Sequence, residues 1–315
     1  MDQNSLNLNM ENNTRPRIWA VGGGKGGVGK TVITANTAIS LAQQGKRCVA
    51  LDLDLGGANL HTVLGVPNPG RTLADFLRRK VDTLVETTVS TPYKNLDFIS
   101  GSKALLEMAN PKFSQKEKLL RHIISLDVDY VLLDLGAGSA FNTLDFFLSA
   151  DEGILVVLPE PTSVENAYHF IKAAFYRKLK RATRKSGVAD AIDKAMEEKV
   201  ARGIQSPRSL IKNVLQINYD AGCALEEEAK TFRPNIIVNQ ARRHDDHELG
   251  GDIVHACQDY FGISIRNLGH IDEDDSLKEA VRLRKAVVDA FPTSPFSRAI
   301  HSIVQNLLEA TGDQP

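Results

Sequence analysis

The chain has 315 residues, 42% of them hydrophobic, with 38 basic and 39 acidic side chains and a formal charge of −1. That length supports one large domain or two small ones, with a sizeable core. Near-neutrality excludes a surface coated in charge for nucleic acid and leaves room only for a local patch.

Residues 1–15 are rich in Asn and poor in large apolar groups, and read as a disordered tail. They contain no apolar stretch of a signal peptide. No run elsewhere reaches the ~20 apolar residues of a membrane span, so a cytoplasmic protein is expected. Ile18 to Val21 is a short apolar run ending in Gly22, Gly23 and Gly24, as a buried strand entering a glycine loop would be. Thr31 to Gln44 carries helix-spaced Ile33, Ala38, Leu41 and Ala42, and Gly45 supplies a helix stop. Further short runs are Cys48–Leu53, Leu96–Ile99, Tyr130–Leu133, Gly153–Leu158, Ile236–Asn239 and Ile265–Ile271. Most are continuous, as strands buried on both faces should be. Their alternation with helical stretches predicts an α/β fold, a mainly parallel central sheet flanked by helices. Residues from about 176 to 230 break the rhythm with helical patterns alone, and read as a helical insertion. A single domain over 16–311 is expected, followed by a short tail at 312–315. Cys48, Cys223 and Cys257 form no C-x-x-C pair, which points to reduced thiols without a disulfide framework or zinc site.

Gly24-Lys25-Gly26-Gly27-Val28-Gly29-Lys30-Thr31 fits the phosphate loop G-x-x-x-x-G-K-[ST], and it lies between a predicted strand and a predicted helix. Glycines let backbone N–H groups turn inward around phosphate oxygens, and the following helix adds its positive dipole end. Lys30 would neutralise β- and γ-phosphate charge in its own subunit, Thr31 would ligate Mg²⁺, and Val32 continues the nucleotide-binding segment. Phosphoryl transfer also needs carboxylates to hold Mg²⁺ and to place a water in line with the γ-phosphate. Strand ends supply the candidates: Asp52 and Asp54 in LDLDLGGANLHTVLG, and Asp134 after Tyr130–Leu133, leading into Gly136-Ala137-Gly138.

Lys25 is not required by an ordinary phosphate loop. With it, KGGVGKT resembles the deviant loop of the MinD/ParA family of ATPases. The resemblance implies an ATP-dependent homodimer in which Lys25 reaches the partner's ATP and Lys30 serves its own. It implies that Asp54 orients or deprotonates the attacking water, that Asp52 supports the magnesium shell, and that Asp134 is the Walker B carboxylate. Ile237-Val238-Asn239-Gln240 looks like the family's adenine-reading strand end, with Asn239 bonding the base edge. Pro159-Glu160-Pro161-Thr162-Ser163, Asn166-Ala167-Tyr168, Leu268-Gly269-His270-Ile271 and the Phe291–Pro295 turn are similar to the flagellar-number group of that family. The resemblance covers about residues 17–175 and 235–308. The implied activity is a slow, partner-regulated ATP hydrolase that regulates the position or number of a structure such as flagella. Localisation would be cytoplasmic, with a peripheral place at a membrane or cell pole. The chain departs from the family at Asp272, where proline is usual, with a consequence for the edge of the adenine pocket. Asp2-Gln3-Asn4-Ser5-Leu6 also departs from the group's D-Q-A-x-x-L-R motif for a GTPase partner.

Four weaker signals remain. Lys172 to Lys185 holds seven basic side chains interleaved with aromatic and apolar ones; it reads either as a solvated face over a core stripe or as a surface for a protein partner, an anionic membrane or DNA. Phe296, Ile300, Ile303, Val304, Leu307 and Leu308 share one helical face and are expected in the core. His244-Asp245-Asp246-His247-Glu248 reads as a polar loop that fits no metal template, and Asp272–Asp275 as a helix N-cap cluster. Rival functions on the same fold are a DNA- or cargo-segregation ATPase, an ATP-dependent ligase, and an iron–sulfur carrier, which would need paired cysteines.

Overall fold

The computed structural model describes residues 15–54, 57–67, 70–101, 113–186 and 206–312. The expected amino-terminal tail (apart from residue 15), most of the short carboxyl-terminal tail and the middle of the insertion lie outside them. Eight strands form one sheet: β1 (Arg17–Gly22), β2 (Cys48–Leu53), β3 (Thr88–Ser90), β4 (Leu96–Ile99), β5 (Tyr130–Leu135), β6 (Glu152–Val157), β7 (Asn235–Ala241) and β8 (Arg266–Asp272). Their order is β3-β4-β2-β5-β1-β6-β7-β8, and every pairing is parallel except β3 with β4. The chain winds to one side of β1 first and crosses to the other after β5. Such a switch point opens a crevice at the carboxyl ends of the central strands.

Twelve α-helices of the described residues cover the sheet: α1 (Lys30–Gln43), α2 (Leu60–Val63), α3 (Leu73–Leu77), α4 (Phe113–Ile124), α5 (Phe141–Phe147), α6 (Pro161–Ser186), α7 (Pro207–Ile217), α8 (Tyr219–Lys230), α9 (His244–Phe261), α10 (Asp275–Leu283), α11 (Val287–Ala290) and α12 (Pro295–Thr311). The strand interiors alternate between two cores because successive side chains leave opposite faces. Ile18 and Ala20 of β1 join one core with α3 to α9, while Trp19 and Val21 join the other with α1, α11 and α12. This is why the runs read as continuous in sequence: both faces are buried. On α12 the expected stripe of Phe296, Ile300, Ile303, Val304, Leu307 and Leu308 is fully buried against α1 and the sheet. Each such side chain contributes roughly 1.5–3 kcal/mol of burial.

The structure corrects the sequence reading in five places. β5 continues through Asp134 to Leu135, so that carboxylate sits inside the strand. β3 was not expected; it is three residues long and lies antiparallel at the edge. The segment from His244 is helix, because Asp246 accepts the backbone N–H groups of Arg242 and Arg243 at 2.8 and 2.9 Å and so caps α9. Of the Asp272–Asp275 cluster, only Asp274 caps α10, accepting from Ser276 N at 2.8 Å, whereas Asp272 belongs to β8. The region read as an insertion begins inside α6, a single 26-residue helix. Leu210, Val214 and Leu225 of α7 and α8 share the core of Phe175 and Leu179 on α6.

Candidate functional site: the phosphate loop and its strand-end carboxylates

The loop from Gly23 to Gly29 joins β1 to α1 at the switch point. Gly29 caps α1 with a left-handed φ of 97°, which glycine adopts without the Cβ penalty. A Cβ there would also overlap Nδ2 of Asn239. No side chain caps α1 and no acidic residue lies in its first turn. Its first N–H groups and dipole end are therefore left for an external anion. Gly24 is packed so closely on the backbone of Asn166 in α6 that a Cβ would collide with its carbonyl.

The two lysines of the loop differ. Lys30 is buried, and its Nζ folds into the loop to donate to the Lys25 carbonyl at 3.5 Å. Burial lowers its pKa, while the charges of Asp134 and Asp54 oppose that shift. Lys25 turns away from the loop. Its Nζ donates to Glu160 Oε2 at 3.1 Å and to Thr162 Oγ1 at 3.5 Å, where α6 begins, and it stays 40% exposed.

Asp52 and Asp134 are direct register partners on β2 and β5. Both lie on the face toward α1, since Cys48 and Ala50 of β2 and Tyr130 and Leu132 of β5 join that core. Both are buried. Burial first, then the charge of Asp134, pushes the Asp52 carboxyl up to about 8. Burial pushes Asp134 up to about 7, opposed by the nearby Thr31 hydroxyl and the charge of Lys30. Their partners differ in kind. Asp52 is occupied by backbone: Oδ1 accepts from Asp54 N at 3.1 Å and Oδ2 from Leu60 N at 3.2 Å. It braces the loop after β2. Asp134 accepts from Thr34 Oγ1 at 3.4 Å through Oδ1, but its Oδ2 is buried with no hydrogen-bond partner. An orphaned buried carboxylate oxygen beside the Thr31 hydroxyl fits a hard divalent cation such as Mg²⁺.

Asp54 is half-buried, and its Oδ1 accepts from Gly57 N at 3.0 Å. Its carboxylate lies against Gly136, so the loop after β2 meets the loop after β5. That second loop is tied to the phosphate loop by Gly138 N donating to the Gly23 carbonyl at 2.9 Å. Lys30, Thr31, Asp54 and Asp134 therefore gather at one rim, with Lys25 turned outward from the same loop. Asn239 reaches the same rim from β7, buried, with its Nδ2 donating to the Val28 carbonyl at 2.8 Å. Its amide thus braces the phosphate loop, and the next residue, Gln240, holds a left-handed φ of 59° at a bulge in β7.

A family model described as ParA, NUBPL iron-transfer P-loop NTPase, matches residues 15–183. The chain belongs to the ParA family of P-loop NTPases. Members of this MinD/ParA family generally hydrolyse ATP. The antiactivator FleN of Pseudomonas aeruginosa is 26% identical over 92% of this chain and 86% of its own length. The septum site-determining protein MinD of Helicobacter pylori is 34% identical, but over 48% of this chain and 56% of its own length. The flagellum site-determining protein YlxH of the same organism is 30% identical over 51% of this chain and 55% of its own. The fold is that of Pyrococcus horikoshii MinD complexed with Mg-ADP, with a TM-score of 0.64 at 23% identity over 94% of this chain and 98% of that one. No described helix is long and apolar enough to cross a membrane.

The basic segment carries the expected core stripe, with Phe170, Ile171, Phe175 and Leu179 buried, while several of its cations are paired within the fold. Arg177 grips Asp145 through two bonds, Nε to Oδ1 at 2.5 Å and Nη2 to Oδ2 at 2.8 Å. Lys116 and Arg181 bond the same carboxylate. Lys178 pairs with Glu228 of α8 at 3.0 Å. Arg177, Lys178 and Arg181 are thus engaged within the fold, and of the three Arg181 stays the most exposed. The side chains of Arg184 and Lys185 lie outside the described residues. Sequence reasoning missed Asp145 as the anchor, because FNTLDFF gives no sign that three cations converge on it.

Proposed function

We propose that this chain is a Mg²⁺-ATP-dependent switch that pairs with a second copy of itself around two ATP molecules and is reset by hydrolysis. The observation that carries this reading is the divergence of the two lysines. Lys30 is buried in its own loop, whereas Lys25 points out of it toward Glu160 and an open surface. A lysine so placed is available to a partner subunit's phosphates and poorly placed for its own. Its role there resembles an arginine finger, offsetting charge on the transferring phosphoryl group. Thr31 and Asp134 would hold Mg²⁺, which neutralises phosphate charge when bound. Asp54, at the junction of the two loops, would orient the attacking water. Asp52 supports the site through the backbone it holds. Asn239, at the rim beside Val28, is proposed to face the base.

A role in regulating flagella is favoured by the near-full-length similarity to FleN, and by YlxH. An iron–sulfur carrier is disfavoured by the cysteines. Cys48 in β2, Cys223 in α8 and Cys257 in α9 stand on separate elements, and the first and last are buried.

The test separates the lysines in an Asp54→Ala background, which should itself slow hydrolysis at least about 100-fold through loss of the water-positioning carboxylate. Lys30→Ala should lose fluorescent-nucleotide binding. Lys25→Ala should bind nucleotide as its parent does, yet fail to dimerise with ATP in light scattering. Undiminished dimerisation of Lys25→Ala would remove the trans-acting lysine from the mechanism.

A further inference from the structure

We propose that His247, His270 and Asp272 form a site for one divalent transition-metal ion of the zinc class, separate from the Mg²⁺ position at Thr31 and Asp134. The three residues come from two elements. His247 lies in the first turns of α9, and His270 and Asp272 lie two apart on β8, so they share one face of that strand. Ile271 between them is fully buried and fixes which face that is. Both imidazoles aim Nε2 at the same carboxylate oxygen: His247 at 2.9 Å and His270 at 3.9 Å from Asp272 Oδ1. The rings are parallel within 10°, with centroids 3.9 Å apart. All three donor atoms lie within 4.8 Å of one another.

These distances suit an ion. At metal–ligand lengths near 2.0–2.1 Å, two tetrahedral ligand atoms stand about 3.3 Å apart. The observed nitrogen–oxygen distances of 2.9 and 3.9 Å bracket that spacing, and because parallel stacked rings cannot both hold one ion in their planes, one imidazole must turn out of the stack to complete the site. Two imidazoles and one carboxylate are borderline donors. They select Zn²⁺, Co²⁺ or Ni²⁺ over Mg²⁺, which demands oxygen ligands. The frame is rigid. Asp272 is paired in register with Ala241 of β7, and the start of α9 is pinned by Asp246 on the N–H groups of Arg242 and Arg243. His247 and His270 are half-buried and Asp272 is exposed, so an ion can enter and a fourth position stays open to water. Ile271, between two of the ligands, pairs with Asn239 of β7, which bonds the phosphate loop. A bound ion would therefore clamp α9 to β8 one strand away from the nucleotide rim. His244 is the nearest further imidazole, 6.4 Å from His247 ring to ring, and it pairs with Glu248 instead.

The test is titration of the full, metal-free chain with Co²⁺, followed by visible absorption and by competition with Zn²⁺. One Co²⁺ per chain is expected, displaced by Zn²⁺ and not by excess Mg²⁺. His247→Ala, His270→Ala and Asp272→Asn should each weaken binding at least about 10-fold, and His244→Ala should not. Should a variant fail to fold by circular dichroism, the wild-type chain still decides the matter. Zn²⁺ should shield His247 and His270, and not His244, from diethyl pyrocarbonate. Equal Co²⁺ affinity in the wild type and the His247→Ala/His270→Ala double variant, or equal modification of all three histidines with Zn²⁺, would overturn the site.

Discussion

Two regions of this molecule handle buried charge in opposite ways. At the phosphate loop, Asp52 and Asp134 sit side by side with one buried lysine near them, and an oxygen of Asp134 has no hydrogen-bond partner. Beneath α6, the single carboxylate of Asp145 is surrounded by Lys116, Arg177 and Arg181. The first arrangement leaves negative charge uncompensated within the chain, and that is where an added cation is useful. The second is complete without any ligand, and it fastens α4, α5 and α6 to one another. On the function proposed above, the under-partnered carboxylate marks chemistry, and the fully partnered one marks architecture.

The largest expected effect comes from breaking the complete cluster. Asp145→Ala would leave three cations facing one another with no counter-charge, at a cost of about 3–5 kcal/mol. Denaturant titration followed by the single, fully buried Trp19 should show it. Folded Asp145→Ala should bind nucleotide as the parent does. Stability lost by a few tenths of a kcal/mol only, or nucleotide affinity lost first, would reverse the assignment of the two regions.

A smaller effect concerns pH, with opposite signs in the two places. Asp52 and Asp134 titrate near 8 and 7 in the fold, above the usual carboxyl value of 3.8. Between 3.8 and those values the native state holds more protons than the unfolded chain. Stability of the nucleotide-free protein should therefore fall as pH rises through about 4 to 8, by at most about 1.4 kcal/mol per pH unit for each carboxylate. Asp134→Asn should remove its share of that slope, and Mg²⁺ should flatten it. Burial tends to raise the Asp145 carboxyl too, but the hydrogen bonds of Arg177 and Lys116 and the charge of Arg181 hold it below its usual value. Its contribution is present above 3.8 and disappears as pH falls through the folded value. Asp145→Asn should consequently lower stability throughout the range above about 4 and flatten the acid limb, leaving the slope between about 4 and 8 unchanged. Melting curves from pH 3 to 9 on both variants would expose any exchange of these signatures.

The smallest effect belongs to the exposed pair between Lys25 and Glu160. Such pairs are worth about 0–1 kcal/mol, so Glu160→Gln should tighten ATP-dependent dimerisation by no more than about fivefold, with the difference shrinking in high salt. Sedimentation in the Asp54→Ala background would measure it. Weaker dimerisation would mean that Glu160 serves the paired state.

Much of this was legible in sequence, for identifiable reasons. The strands announced themselves because both faces of the sheet are buried, and the phosphate loop because its glycines, lysines and threonine are local in the chain. β3 escaped because a half-buried edge strand of three residues carries no apolar run. The start of α9 was missed although its signal was present, Asp246 at the third helical position. What depends on distant parts of the chain was invisible. Asp145 meets Arg177 and Arg181 only after α5 and α6 pack, and His247 meets Asp272 only after β8 returns beside β7. The basic run at Lys172–Lys185 hid its internal pairings because charge pattern shows which residues are cationic without showing what they face.

The packing of α12 onto α1 bears on the order in which the protein is made. Asn36 of α1 accepts the backbone N–H of Val288 at 3.0 Å, and Ser40 meets His301 at 2.8 Å. Ribosomes deliver α1 long before these partners, and chains begin folding from the amino end. The helix that presents the phosphate loop therefore waits, one side bare, until α11 and α12 emerge. A chain halted before them would carry the whole signature from Gly24 to Thr31 and still lack a firm base for it.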